Sequence, residues 1–159
     1  MSAPTTVCRL WRNEALRVFH DRLISQEDKD WFVKTADAQL KKSFAGQADA
    51  ALEGAVVFGD MKNALAVIEG GSEARVNEDL GGYDEAKALF ELLLGSYNEK
   101  EKAMNLVLFD DAIEHLCRLH RLLRLPRGNA LLVGVGGSGK QSLTRLAAFA
   151  AQSVIFQIT

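Results

Sequence analysis

The stretch Asn129–Gln152, "NALLVGVGGSGKQSLTRLAAFAAQ", decides the fold. Its first part, "NALLVGV" (129–135), is an apolar run without period, the pattern of a strand buried on both faces. A glycine-rich turn follows. "KQSLTRLAAFAAQ" (140–152) then repeats apolar residues at helical spacing, with Leu143, Leu146, Ala147 and Ala150 on the inward side. "SVIFQIT" (153–159) predicts a second strand. Strand, glycine-rich loop, helix and strand is the context in which the spacing G-x-x-x-x-G-K, met by Gly134, Gly139 and Lys140, carries chemical meaning. Glycines at 136, 137 and 139 permit backbone conformations closed to other residues. N–H groups from Gly137 through Ser138 and Gly139 to Lys140 can then converge on phosphate oxygens. Lys140 supplies a mobile charge for β and γ phosphates, and the helix N-terminus adds its partial positive charge. The alternative is a tight strand-to-helix turn with no ligand.

The residue after the lysine is normally Ser or Thr, whose hydroxyl ligates Mg²⁺. Here it is Gln141, longer and less well placed, so the magnesium-ligand position is occupied by an amide and no metal-binding residue is assigned. Ser142 lies one step on, turned by about 100° around the helix, where an α-phosphate is a better partner than a metal ion. Hydrolysis also needs an acidic residue on a later strand. No Asp or Glu follows Gln141, so no catalytic residue is assigned either. ATP or ADP, with or without Mg²⁺, is the expected ligand.

Working outward, "MNLVLFDDAIEHLCRLHRLLRLPRG" (104–128) reads as a short apolar stretch and then a helix. Asp110 and Asp111 stand at its start, and Pro126 and Gly128 end it. Another helix is predicted over "YDEAKALFELLLGSYNEKEK" (83–102), with Ala86, Leu89, Phe90 and Leu93 recurring at helical spacing. Before it, "GGSEARVNEDLGGY" (70–83) carries four glycines and reads as loop or linker. The preceding region lacks sustained period, and "AVVF" (55–58) is a candidate short strand. Two helices open the chain. In "LWRNEALRVFHDRL" (10–23), Leu10, Trp11, Ala15, Val18, Phe19 and Leu23 form an apolar stripe. "SQEDKDWFVKTADAQLKKSF" (25–44) has Ser25 as its N-cap.

With 159 residues, 48% of them hydrophobic and 25% charged, the composition is that of a globular chain able to bury a core. The net charge of −2 makes no electrostatic case for nucleic acid or an anionic membrane. No run approaches a membrane span, and the N-terminus lacks a signal-peptide pattern. Cys8 and Cys117 alone make neither a disulfide framework nor a zinc cluster. An intracellular, soluble chain in a reducing compartment is the expectation.

Asp111, Glu114, His115 and His120 suggest a metal or acid–base site only weakly, because they lack ligand spacing. Arg118, Arg121, Arg124 and Arg127 recur every three residues and read as a solvated face, with a phosphate-facing or inter-module surface as the alternative. Trp11, Trp31 and Phe32 read as core, as does Cys117.

The run from Met104 to Phe149 closely resembles the start of the fourth AAA+ module of an axonemal-type dynein heavy chain. "LWRNEALRVFHDRL" resembles a lid helix of the third module, where the family usually has His at the position of Asn13. Residues 41–98 match loosely, with "FGDMKN" (58–63) the best anchor. The resemblance implies a fold that is mostly α with an incomplete α/β part. A helical lid segment would be followed by the first strand–loop–helix–strand unit of a P-loop NTPase sheet. It implies the end of one module over 1–65, a linker over 66–82 and the start of the next module over 83–159, truncated. It accounts for Gln141, since axonemal-type dyneins carry Gly-Lys-Gln-Ser here. It implies regulatory nucleotide binding rather than the main motor hydrolysis, and suggests Arg17 as a lid arginine. Its implied partners are the other AAA+ modules, dynein intermediate and light chains, and microtubules. Its implied location is the cytoplasm and cytoskeleton, in the axoneme of a cilium or flagellum. A family sheet has five strands, and those flanking 131–135 come later in sequence. The expectation is therefore a partial product whose apolar strands are exposed or non-natively paired. A non-enzymatic helical interaction fragment with an unsupported phosphate loop is the other reading, and a stand-alone NTPase is disfavoured.

Overall fold

The computed structural model describes residues 3–158. Among them the fold is mostly helical with one two-stranded sheet. The chain divides between Phe58 and Gly59 into two compact units.

The first unit holds α1 (Ala3–Val18), a 3-10 turn at His20–Arg22, α2 (Gln26–Ser43) and α3 (Ala48–Leu52). Ser25 caps α2 as its position suggests, its hydroxyl accepting the Asp28 N–H at 3.1 Å. The core is small, built from Cys8, Leu40, Ala48 and Ala51 with Leu52 against it. The buried face of α1 differs from the predicted stripe: it carries Thr5, Cys8, Arg9 and Asn13, while Trp11, Val18 and Phe19 are exposed. Arg9 explains the rotation. Its buried guanidinium donates to the carbonyls of Glu53 at 2.9 Å, Ala55 at 2.7 Å and, more weakly, Ala51. The Ala51 carbonyl lies in the last turn of α3 and those of Glu53 and Ala55 follow its end, where a short helix leaves acceptors without intrahelical donors. Trp31 is also exposed rather than core, and Phe32 meets Phe19 in a tilted pair with centroids 5.9 Å apart.

The second unit contains α4 (Ala64–Ile68), α5 (Tyr83–Lys100), α6 (Asp110–Arg124) and α7 (Lys140–Ala150). The strand predicted at 55–58 is reduced to β1 (Phe58–Gly59), at the division between the units, paired with β2 (Glu78–Asp79). Helices α5, α6 and α7 pack on one another. They bury Ala86, Phe90 and Leu93, then Ile113 and Leu116, then Leu143, Leu146, Ala147 and Ala150. The Tyr97 ring meets Phe149 edge-on at 5.4 Å. Helix α6 stops where Leu125 turns to extended backbone ahead of Pro126.

The two apolar runs expected as strands, 131–135 and 154–158, are neither strand nor helix. Instead of being buried on both faces, Leu131 is 89% exposed and Val154 98% exposed. A strand exists by its ladder, and among the described residues no segment pairs with either run. Cys117 is likewise half-buried rather than core.

A polar cluster joins residues 60–75 to α6 and α7. The Asp60 carboxylate accepts from Arg75 Nη2 at 3.1 Å, from Arg124 Nε at 2.9 Å and from His120 Nε2. Burial raises the Asp60 pKa, but the His120 hydrogen bond, the charge His120 carries once protonated in acid, and the charges of Arg75 and Arg124 outweigh it and hold the carboxyl below its ordinary range. Burial lowers the His120 pKa, and the Arg75 charge adds to this. The Asp60 carboxylate opposes both without reversing the direction. His120 is therefore neutral at pH 7 and donates from Nε2.

Both shifts have the same sign for stability. A depressed folded pKa means that the unfolded chain takes up protons first, so stability is full above the unfolded value and lost as pH falls toward the folded one. For His120 the loss begins below 6.5 and for Asp60 below 3.8. Thermal melts between pH 7.5 and 5 should show the second unit weakening, by no more than about 1.4 kcal/mol per pH unit. A His120→Gln variant should melt lower at pH 7.5 but lose this first step. An unchanged pH slope in the variant would contradict the assignment.

Candidate functional site

The loop over 134–139 leads into α7, and its backbone explains its glycines. Gly137 and Gly139 both have φ +77°, the left-handed region that side-chain-bearing residues avoid, and Gly139 is the N-cap of α7. At Gly134 a Cβ would stand 3.3 Å from both Lys140 Nζ and Ser138 Oγ, so the loop closes tightly over that position. Leu143 N–H donates to Gly139 O at 2.8 Å, closing the first turn. Within that turn the N–H groups of Lys140, Gln141 and Ser142 have no intrahelical acceptor. They sit at the positive end of the helix dipole.

Lys140 folds back over this loop. Its ammonium donates to Gly134 O at 2.7 Å, Val135 O at 2.6 Å and Ser138 Oγ at 3.0 Å. One cation thus gathers the two ends of the loop. Ser138 N–H bends toward Val135 O at 3.4 Å, so the loop's amides do not all converge as the sequence pattern implies. Gln141 is exposed and Ser142 half-buried.

Beside the loop lies a cavity of about 1140 Å³. One wall is the loop with Lys140 and Leu143, another is the face of α6 that carries His115, Arg118 and Leu119, and Leu106 and Val107 complete it. Sequence reasoning did not find this cavity. Its signal was the short apolar stretch before α6, which nothing local marks as the wall of a cavity.

The acidic and histidine residues singled out on α6 do not form one site. Asp111 and His115 line the cavity, Glu114 bonds Tyr83 and Arg118, and His120 is buried against Asp60. Among the described residues no group of three or more His, Cys, Asp or Glu is placed to hold a metal ion. The arginine row is not a uniform solvated face, since Arg118 pairs with Glu114 at 2.8 Å and Arg124 with Asp60 at 2.9 Å. In the first unit Arg17 pairs with Asp21 at 2.9 Å.

Residues 104–159, the segment that holds the cavity and loop, match the family model described as P-loop containing dynein motor region D4. The whole chain aligns with axonemal dyneins. It is 52% identical over 159 residues to the dynein-1-alpha heavy chain of the flagellar inner arm I1 complex of Chlamydomonas reinhardtii, covering 98% of this chain. The chain belongs to the axonemal dynein heavy-chain family.

Human dynein axonemal heavy chain 10 is 53% identical over 150 residues, or 94% of this chain. The ciliary dynein beta chain of Tripneustes gratilla is 39% identical over 167 residues, covering all of this chain. The chain spans about 3% of the length of each of these relatives. Its dynein motor-region sequence therefore coincides with the segment in which Gly139, Lys140 and α7 are assembled. No described helix is long and apolar enough to cross a membrane.

Proposed function

We propose that this dynein segment binds the phosphates of ATP or ADP at the loop, with Gly134, Gly136, Gly137, Ser138, Gly139, Lys140, Gln141 and Ser142 as its contact residues. The observation that carries the reading is Lys140 folded across two left-handed glycines at the N-terminus of α7, beside an apolar cavity. The residues fit such a ligand. The lysine's oxygen partners are ones that phosphate oxygens can replace, and the N-terminal N–H groups of α7 offer further donors. The walls formed by Leu106, Val107 and Leu119 suit a flat apolar base. Bound ATP would bring a triphosphate whose negative charge meets Lys140 and the helix dipole.

Magnesium contributes little in this reading, because Gln141 stands at the usual ligand position and Ser142 lies one helical step away. With an amide in place of the magnesium-ligating hydroxyl, the site is assigned to regulation through occupancy rather than to the main motor hydrolysis. In the module reading, residues 1–65 close a third-type AAA+ lid, 66–82 link, and 83–159 open a fourth-type module. Other AAA+ modules, and through the heavy chain its intermediate and light chains and microtubules, are the partners. The cytoskeleton of the axoneme is the location. Identities of 52% and 53% to an inner-arm I1 chain and to heavy chain 10, against 39% to a ciliary beta chain, favour an inner-arm heavy chain.

The exposure of Leu131, Val133 and Val135 favours a second reading, in which the loop lacks support and the chain acts only through its helices. Calorimetric titration with ATP, in EDTA and again in Mg²⁺, separates the two. The nucleotide reading predicts one saturable site with affinities within about 3-fold of each other, under 1 kcal/mol. No binding by a folded sample would overturn it in favour of the second.

A further inference from the structure

Helix α7 carries the phosphate loop at one end, and its other end is fastened by a residue far away in sequence. Arg75 Nη1 donates to Ala150 O at 2.6 Å, one of the terminal carbonyls that a helix leaves without an intrahelical partner. A cation there also complements the helix dipole. The same guanidinium donates to Asp60 O and Asp60 Oδ1, each at 3.1 Å, and its side chain is only 6% exposed. Asp60 in turn is bound to α6 through His120 and Arg124. The Asp60–Arg75 pair therefore clasps α6 to α7. Those two helices also wall the cavity beside the loop, α6 with Arg118 and Leu119 and α7 with Lys140 and Leu143.

We propose that Arg75 is a positioning residue for the nucleotide site, setting the spacing of α6 and α7 and so coupling residues 59–79 to nucleotide affinity. This rests on the nucleotide reading of the loop. The coupling is reciprocal by linkage: if the clasp favours nucleotide binding, bound nucleotide steadies the clasp. Arg75 reaches two partners through a planar fork, a geometry Lys does not reproduce, so Arg75→Lys restores the charge but not both contacts.

The test uses the 159-residue chain with ATP as probe and amide hydrogen exchange as second readout. Arg75→Ala should weaken ATP binding at least 10-fold and Arg75→Lys by about 3-fold. In the parent chain ATP should slow exchange over residues 59–79. A role confined to holding the fold would lower the melting temperature alone, leaving ATP affinity and ATP-dependent exchange at 59–79 unchanged, and that result overturns the proposal. If Arg75→Ala does not fold, the Lys variant decides by the same criterion. If the parent chain binds no ATP, the nucleotide reading fails, but the clasp keeps its own readout in exchange without nucleotide. Faster exchange over 134–143 in the variant supports positioning of the loop by Arg75, and unchanged exchange there refutes it.

Discussion

Arg9→Ala is expected to remove about 3–5 kcal/mol from the first unit, the largest stability effect of any single truncation in it. The guanidinium is 1% exposed and supplies donors to the carbonyls of Ala51, Glu53 and Ala55. Truncation leaves the buried Ala51 carbonyl and the part-buried bonds at Glu53 and Ala55 without their donor, and opens a cavity the size of an arginine side chain. The apolar core of Cys8, Leu40, Ala48 and Ala51 is too small to absorb that loss. Arg9→Lys should recover only part of it, since one ammonium on a flexible stem cannot span carbonyls two and four residues apart as the fork does. Urea denaturation followed by helix content checks this. A loss below about 1 kcal/mol would mean that water satisfies the carbonyls and that Arg9 does not set the orientation of α1.

Lys140→Ala should weaken ATP binding by 100-fold or more. Charge-assisted hydrogen bonds are worth about 1.5–3 kcal/mol each, and the ammonium is placed to exchange its loop oxygens for two phosphate oxygens. The effect has a second source in this chain. Lys140 also ties Gly134 O and Val135 O to Ser138 Oγ, so its loss frees the loop before any ligand arrives. Helix α7 should survive, because its buried residues Leu143, Leu146 and Ala147 do not depend on the lysine. Calorimetry on the variant, with circular dichroism to show an unchanged helix content, checks both parts. Affinity within a few-fold of the parent chain would mean that the ammonium contributes little to holding the nucleotide.

The sequence made legible whatever depends on short-range order. Helices α5, α6 and α7 follow their apolar spacing, and Leu143, Leu146, Ala147 and Ala150 are inward as predicted. The Ser25 cap needed only a hydroxyl three residues before an N–H. What stayed hidden depends on distant partners. The apolar run 131–135 reads as a buried strand because its pattern records an environment, and the environment must come from a paired strand that the described residues do not provide. The buried face of α1 was misread because periodicity counts apolar residues, whereas a polar residue, Arg9, chose the face by finding carbonyls more than 40 positions away. Arg75 was lost in a glycine-rich loop for the same reason: its partners are Asp60 and Ala150, and nothing local marks it. The loop itself was legible in its spacing, since Gly137 and Gly139 adopt the left-handed backbone their identity allows. The wall of the cavity formed by Leu106 and Val107 was not, because an apolar stretch reads the same whether it lines a site or fills a core.

Hydrogen exchange at the amides of residues 134–143, with and without ATP, reports on phosphate binding at the loop itself. If the loop and the first turn of α7 hold the nucleotide's phosphates, ATP should slow exchange there at least several-fold. Residues 3–58 should remain unaffected. Exchange at 134–143 that ATP leaves unchanged, or ATP-dependent protection confined to residues 3–58, would contradict the assignment of Gly134 to Ser142 as the phosphate site.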